Sequence, residues 1–306
     1  MSRRLQADLW LAFCSLIWGA TFVVVKSALA DASVFVFLLL RFALAAVTLA
    51  LIYRSAVRRM DRATLLAGAA IGWFMFSGYA LQTIGLQYTT PSKAAFITGT
   101  SVVMVPVLHA LISRRRAGAW VWAGAIAALV GLYFLTVPKA GLGDLNKGDL
   151  WVFGAAILWA FHILLVGHYS PRHSVGALTF MQVAVSAGLT AIFLPVVWKT
   201  GLESPRVAWT PNLISAVLIT AFGATAIAFS IQVWAQRFTT PAHVAILFSL
   251  EPVFAALTSF VVYGQWLSGR AILGAALVLA GILAAELKGP VPTAPEGATT
   301  GPGTSG

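Results

Sequence analysis

The sequence predicts an all-α integral membrane protein of ten transmembrane helices arranged as two inverted five-helix repeats, on three observations. Hydrophobic residues make up 59% of the 306-residue chain and charged residues 9%, against about 25% charged in soluble domains. Apolar stretches long enough to cross a bilayer, roughly 20 residues each, recur from Asp8 to Leu287. The chain also repeats itself. Asp8-Leu9-Trp10 with Trp18 returns 141 residues later as Asp149-Leu150-Trp151 with Trp159. Thr89-Thr90-Pro91, Gln82, Gly124 and Gly131 return 150 residues later as Thr239-Thr240-Pro241, Gln232, Gly274 and Gly281. The nine-residue difference puts a longer connection between the second and third helices than between the seventh and eighth.

Apolar runs between loop signals predict helices at 8–28, 33–53, 63–86, 91–112, 118–137, 148–169, 174–198, 211–234, 241–263 and 270–287. Thr90-Pro91, Thr210-Pro211 and Thr240-Pro241 each read as an N-cap followed by proline at the first helical position, which sets three of those starts. Residues 1–138 form the first repeat and 139–288 the second. Because each copy holds an odd number of helices, the second must enter the membrane from the opposite side. The proline-rich stretch 289–306 has almost nothing apolar to bury and reads as a disordered tail.

The formal charge of +11 does not signal a nucleic-acid partner, because no soluble module offers a continuous basic face. The basic residues sit in short loops, where they set topology. With the amino terminus in the cytoplasm, Arg3, Arg4, Arg54, Arg58, Arg59, Arg62, Arg114, Arg115, Arg116, Arg172, Arg237 and Lys288 lie inside. Lys26, Lys93, Lys139, Lys147, Lys199, Arg206 and Arg270 lie outside, and Arg41 is in the membrane. This bias predicts both termini inside. The expected setting is the inner membrane of the cell, with the lipid bilayer as surroundings and a monomer as one open oligomeric state. Arg3, Arg4 and the Ala28-Leu29-Ala30 triplet imitate a cleavable signal, but the run is longer than a signal's apolar core and its pattern recurs later. The single cysteine, Cys14, permits no internal disulfide. The histidines, His109, His162, His168, His173 and His243, lack ligand spacing, so no metal centre is expected. No phosphate loop, zinc-hydrolase pattern or paired intramembrane carboxylates point to an enzyme or a cofactor.

Several motifs resemble the drug/metabolite transporter superfamily and, within it, the ten-helix EamA family of permeases. They are Trp18-Gly19-Ala20-Thr21-Phe22, Arg41, Ser92-Lys93-Ala94-Ala95-Phe96-Ile97 through Pro106, Ser249-Leu250-Glu251-Pro252-Val253-Phe254-Ala255-Ala256-Leu257, and Gly274 to Gly281. The resemblance covers nearly all of residues 8–287. It departs at Gly264-Gln265, where the family often has Gly-Glu. It implies export of small metabolites, with exporters of amino acids, aromatic ones included, as the branch that looks nearest. Inverted repeats suit that role, since two similar halves can exchange conformations around a midplane site. The competing reading is a lipid-handling or scaffold membrane protein whose repeat is only structural.

Candidate pathway residues follow from cost and periodicity. Glu251 and Arg41 lie near the middle of their helices, where an ionised group costs at least about 2.5–3.5 kcal/mol. Glu251 reads as a site for a coupling proton or a substrate ammonium, or as a fixed partner beside Pro252. Arg41 reads as a coupling charge, or as a pairing and carbonyl-capping group. Thr225, Phe229, Gln232 and Gln236 share one helix face, with Met75, Tyr79, Gln82 and Leu86 as repeat mates. Such a stripe either lines a cavity for an amphipathic solute or bonds helices together. Trp18 and Phe22 on the first helix, and Trp159 and His162 on the sixth, are wall or packing candidates. Lys93 and His243 occupy equivalent places one turn into their helices, with Phe96 one turn further than Lys93. Lys93 attracts a substrate carboxylate or snorkels to the interface. Pro106 and Pro252 interrupt backbone bonding and mark the expected hinges. Gly124 with Gly131 and Gly274 with Gly281 predict close helix packing.

Overall fold

The computed structural model describes residues 2–114, 118–137, 139–141, 143, 145–263 and 268–288. Arg115, Arg116, Gly264, Gln265 and the tail at 289–306 lie outside the described residues. The helices in chain order are α1 (Arg3–Ala28), α2 (Val34–Ile52), α3 (Arg54–Arg58), α4 (Arg62–Tyr88), α5 (Pro91–Gly99), α6 (Ser101–Ser113) and α7 (Ala119–Thr136). They continue with α8 (Lys147–Tyr169), α9 (Val175–Lys199), α10 (Pro211–Leu218), a π-helix at Ile219–Ile227, α11 (Ala228–Ala235), α12 (Pro241–Phe248), α13 (Glu251–Tyr263) and α14 (Gly269–Lys288). Among the described residues, nine helical stretches are long and apolar enough to cross a membrane, and the apolar part of α14, Gly269–Ala285, is a shorter tenth. The protein is therefore all-α and multi-pass. Large apolar side chains such as Leu51, Leu66, Leu111 and Ile192 are more than half exposed on its outer surface, an arrangement that hydrocarbon accommodates and water does not.

Local chemistry explains the helix ends. The hydroxyls of Thr90, Thr210 and Thr240 accept the backbone N–H groups of Lys93, Leu213 and His243 at 3.3, 3.1 and 3.3 Å, with proline following each cap. The first helix begins earlier than its apolar run suggests, because Ser2 Oγ accepts the N–H of Leu5 at 3.2 Å. Asn146 and Asp149 form a capping box at the start of α8. The start of α2 is capped from afar. The Glu203 carboxylate accepts the N–H groups of Val34 and Phe35 at 2.6 and 3.1 Å, which ties the α9–α10 loop to the α1–α2 turn.

The long loop contacts continue at that turn. Asp31 accepts hydrogen bonds from Thr210 Oγ1 at 2.7 Å and Asn212 Nδ2 at 2.8 Å, and the Arg206 guanidinium donates to the carbonyls of Leu29 and Ala30. The Asn212 and Thr210 hydrogen bonds, aided by the Arg206 charge, hold the Asp31 carboxyl below the usual carboxylate range.

Packing is reciprocal between the two halves of the chain. Helix α7 lies along α14, α4 packs on α8 and α9, and α1 packs on α11, α12 and α13. Two glycine pairs set the α7–α14 crossing. A Cβ added at Gly124 or Gly281 would lie 2.6 Å from the other's carbonyl oxygen, and the same holds for Gly131 and Gly274. The helices that start the two halves run in opposite directions. Lys26, at the end of α1, donates to the carbonyls of Leu86 and Thr89, and Thr89 Oγ1 donates to Asp149 at the start of α8 at 2.7 Å. At the opposite face, Asp8 near the start of α1 meets His243 of α12 at 3.2 Å.

The fourth and ninth spans are broken, but not where the prolines alone would place the breaks. The interruptions fall at Thr100, between α5 and α6, and at Ser249-Leu250, between α12 and α13. Thr100 and Leu250 are separated by the same 150 residues as the Thr-Pro repeat mates. Tight three-residue bonds replace the helical ones there: Thr100 N to Ile97 O at 3.1 Å, Ser249 N to Ile246 O at 3.1 Å and Leu250 N to Leu247 O at 3.0 Å. The hydroxyls of Thr100 and Ser249 donate to the Ile97 and Ile246 carbonyls as well, at 2.6 and 2.5 Å. Pro106 sits inside a continuous α6, whereas Pro252 follows Glu251 in the first turn of α13, where a missing N–H is tolerated.

Candidate functional site

Between its helices the bundle holds a partly open cavity of about 90 Å³. That is smaller than an engineered cavity of about 150 Å³ that holds benzene, so the chamber as it stands suits a small solute. Its walls come from α1 (Trp18, Thr21, Phe22, Val25), α2 (Arg41), α4 (Tyr79, Gln82, Thr83, Leu86), α8 (Trp159, His162, Ile163) and α11 (Phe229, Gln232). Both broken spans complete it, through Ala95, Thr98, Gly99 and Ser101 on one side and Ala245, Phe248, Ser249, Glu251 and Pro252 on the other. Broken helices meeting at a midplane chamber are a recurring arrangement in transporters.

Aromatic rings form the apolar part of the wall and hold each other at set angles. Trp18 lies 5.3 Å from Phe229 and 5.0 Å from Phe248 between ring centres, Tyr79 stands edge-on to Trp159 at 4.7 Å, and Trp159 faces Phe229 at 6.3 Å. His162 contacts both Trp159 and Phe229, at 5.4 and 5.5 Å. Its Nε2 pairs with Gln182 Oε1 at 2.9 Å, leaving the buried Nδ1 without a hydrogen-bond partner among the described residues. Gln82 donates to Thr98 Oγ1 at 3.1 Å, and Gln232 donates to Gln236 Oε1 at 3.1 Å. The glutamine stripe thus bonds helices together and borders the cavity at once.

Arg41 is 2% exposed, and its charge is met by dipoles and a ring face. Its Nε donates to Thr225 Oγ1 at 2.7 Å, one Nη donates to Tyr79 OH at 2.8 Å and reaches the Ala224 carbonyl at 3.5 Å, and its guanidinium carbon lies 4.2 Å from the Tyr79 ring centre. Thr225 and Ala224 lie in the π-helix, whose wider turn leaves the Ala224 carbonyl able to accept Trp18 Nε1 at 2.9 Å as well. Glu251 borders the same chamber from the start of α13. Gly19 lets α1 pass directly over the Glu251 carbonyl, where any Cβ would collide, so the Trp18-Gly19 pair positions one wall residue and admits the broken span beside it.

Trp18, Phe22, Tyr79, Gln82, Trp159, His162, Phe229, Gln232, Arg41, Glu251 and Pro252 therefore gather around one cavity. Lys93, Phe96, Gln236 and Pro106 stand apart from it. Lys93 Nζ pairs with Asp149 Oδ2 at 2.6 Å, one helical turn nearer the face. Phe96 turns toward α7, with Tyr133 at 6.2 Å and a cluster including Leu132, Leu250 and Val253 behind it. Gln236 donates to the Ile163 carbonyl at 2.9 Å. Sequence reasoning missed Thr98, Gly99, Phe248 and Ser249, although the 150-residue offset pairs Thr98 with Phe248 and Gly99 with Ser249. The available signal was two interruptions in register without a shared proline.

The sequence model of the EamA-like transporter family matches residues 5–137 and again 146–286. A protein of Archaeoglobus fulgidus described as an uncharacterized transporter is 36% identical over 286 residues, covering 94% of this chain and 87% of that one. The threonine/homoserine exporter RhtA of Escherichia coli K12 is 26% identical over 226 residues, covering 73% of this chain and 70% of its own. A solved crystal structure with 19% identity and a TM-score of 0.75, covering 93% of this chain and 97% of that chain, shares the fold. With both halves matched and a cavity set among broken spans, the chain belongs to the EamA-like transporter family and is a multi-pass membrane transporter.

Proposed function

We propose that the protein is a secondary transporter that exports amino acids or similar small metabolites by alternating access, with residues 1–138 and 139–288 acting as inverted halves. One observation carries this reading: a small chamber whose wall combines an aromatic box with one guanidinium, Arg41, and one carboxylate, Glu251. A free amino acid carries an ammonium for the carboxylate, a carboxylate for the guanidinium and a short side chain for the rings. Rings also receive the ammonium through their negative faces. The volume favours an aliphatic or hydroxylated side chain, and an aromatic one requires the walls to part. The threonine and homoserine named for RhtA are solutes of that small, hydroxylated kind. The excess of basic residues in one set of loops supports an orientation with both termini in the cytoplasm, and a metabolite exporter fits the cytoplasmic membrane.

The test is flux. Liposomes containing the purified protein are expected to release radiolabelled threonine or a related neutral amino acid with saturable kinetics, competed by the unlabelled solute. Rates equal to those of empty vesicles across neutral, acidic and aromatic amino acids, nucleosides and organic cations would reject the reading.

A further inference from the structure

Two residues of the cavity wall each have a hydrogen-bonding atom left over. His162 and Gln232 line the cavity and are buried, and His162 Nδ1 and Gln232 Oε1 have no hydrogen-bond partner among the described residues. The two lie on adjoining helices at the same level. Phe229 of α11 packs on the His162 ring at 5.5 Å, and Gln236, two turns further along, donates to the carbonyl of Ile163 at 2.9 Å. Gln232 falls between those contacts on the same helix face, which sets it beside His162.

The chain of amides fixes what Gln232 offers. A backbone carbonyl only accepts, so Gln236 meets Ile163 with its Nε2 and takes Gln232 Nε2 on its Oε1 at 3.1 Å, and the atom that remains to Gln232 is an acceptor. His162 is less constrained. Its Nε2 pairs with Gln182 Oε1 at 2.9 Å, but Gln182 Nε2 has no hydrogen-bond partner of its own among the described residues. Turning that amide over costs no hydrogen bond and reverses donor and acceptor at Nε2. The imidazole tautomer reverses with it, and Nδ1 changes from acceptor to donor. The wall therefore presents one fixed acceptor next to one atom able to donate. A purely apolar solute leaves both unmet, and buried polar groups left unmet are costly.

We propose that His162 and Gln232 form a subsite that selects a hydroxyl on the solute, which donates to Gln232 Oε1 and accepts from His162 Nδ1–H, with Gln182 setting the tautomer. An alcohol is the small uncharged group that donates and accepts through one atom. It replaces a water held at the same place without loss of bonds, whereas a methyl of similar size makes none of them. The Tyr79–Trp159 ring pair links this subsite to Arg41. Tyr79 OH accepts from Arg41 at 2.8 Å, its ring stands edge-on to Trp159 at 4.7 Å, and Trp159 touches the His162 ring at 5.4 Å. Arg41 and Glu251 thus meet the charged ends of an amino acid, and the histidine–glutamine pair reads its side chain.

This inference rests on the transport reading, and its test compares solutes that differ in the hydroxyl alone. Binding to the purified protein is measured by titration calorimetry for threonine against valine, homoserine against norvaline, and polyols and nucleosides against their deoxy analogues. The parent is expected to bind threonine at least about tenfold more tightly than valine. His162→Gln keeps an amide that reaches Gln182 but has no group at the Nδ1 position, and is expected to bring the ratio within about twofold by loss of threonine affinity. Gln232→Met, of similar length without the acceptor, is expected to act alike. His162→Asn keeps a polar group at the Nδ1 position while giving up Gln182, and is expected to retain a ratio above about fivefold. A histidine that serves packing alone gives the reverse order, with His162→Asn the more damaging and the ratio unmoved in His162→Gln, which overturns the subsite. Equal affinities for threonine and valine in the parent mark a place that holds water alone; they overturn the subsite and leave amino-acid transport standing. A hydroxyl preference confined to polyols and nucleosides keeps the subsite and removes the amino-acid cargo. A parent that binds no member of any pair overturns both.

Discussion

Arg41 is the residue on which the polar centre turns. A guanidinium in hydrocarbon is tolerated only when its donors and charge are met, and here Thr225, Tyr79 and the Ala224 carbonyl meet them. Lysine carries the charge but lacks the planar fork and the ring-stacking face. Arg41→Lys is therefore expected to cost about 1.5–3 kcal/mol, the range for hydrogen bonds to charged groups, measured as detergent-solubilised unfolding. At the loop, Asp31 offers a pH test. Its folded carboxyl titrates below the usual range because Asn212 and Thr210 donate to it, so its contribution is present above the ordinary aspartate pKa of about 3.9 and is lost as pH falls through the lower folded value. The Tm gap between the parent and Asp31→Asn is expected to be constant from pH 5 to pH 7 and to close below about pH 4. A gap that instead shrinks between pH 7 and pH 5 would remove Asp31 as its source.

At the scale of elements, the α7–α14 crossing depends on having no side chains at four points. Gly131→Ala places a methyl against the Gly274 carbonyl, a backbone atom that cannot swing aside, and is expected to cost about 1–3 kcal/mol by overpacking. Gly188→Ala in α9 is the control. A Cβ there meets nothing within 4 Å, so that variant is expected to match the parent or gain about 0.5–1 kcal/mol from the better helix former. Equal losses at both positions in a thermal-shift series would mean that the glycines do not set the crossing. The broken spans teach a related lesson. Helix interruption follows the position within the half, since Thr100 and Leu250 share a register while Pro106 and Pro252 do not.

Across the whole molecule, the chamber is built from five separate spans and the two broken ones, so no single helix owns the site. Glu251 is the carboxylate that reaches it from the second broken span. Removing its charge while keeping its shape tests its place in transport. Glu251→Gln is expected to flatten the dependence of solute flux on external pH across the range in which the parent changes, without preventing folding. A flux profile identical to the parent's would leave Glu251 as a structural group beside Pro252.

The span count, the helix ends and the internal repeat were legible in the chain because each is written locally. A run of about 20 apolar residues has one stable solvent, and a Thr-Pro pair caps a helix wherever it occurs. Much of the chamber was legible too, since Tyr79, Gln82, Phe229 and Gln232 follow helical spacing. Tertiary structure alone decided that Lys93 answers to Asp149, that Phe96 turns to α7, and that the π-helix frees the Ala224 carbonyl for Trp18 and Arg41. Those outcomes depend on which helix faces which across long separations, 232 residues for Ser15 and the Leu247 carbonyl. Periodicity identifies the face of a helix, but only packing names the neighbour that meets it.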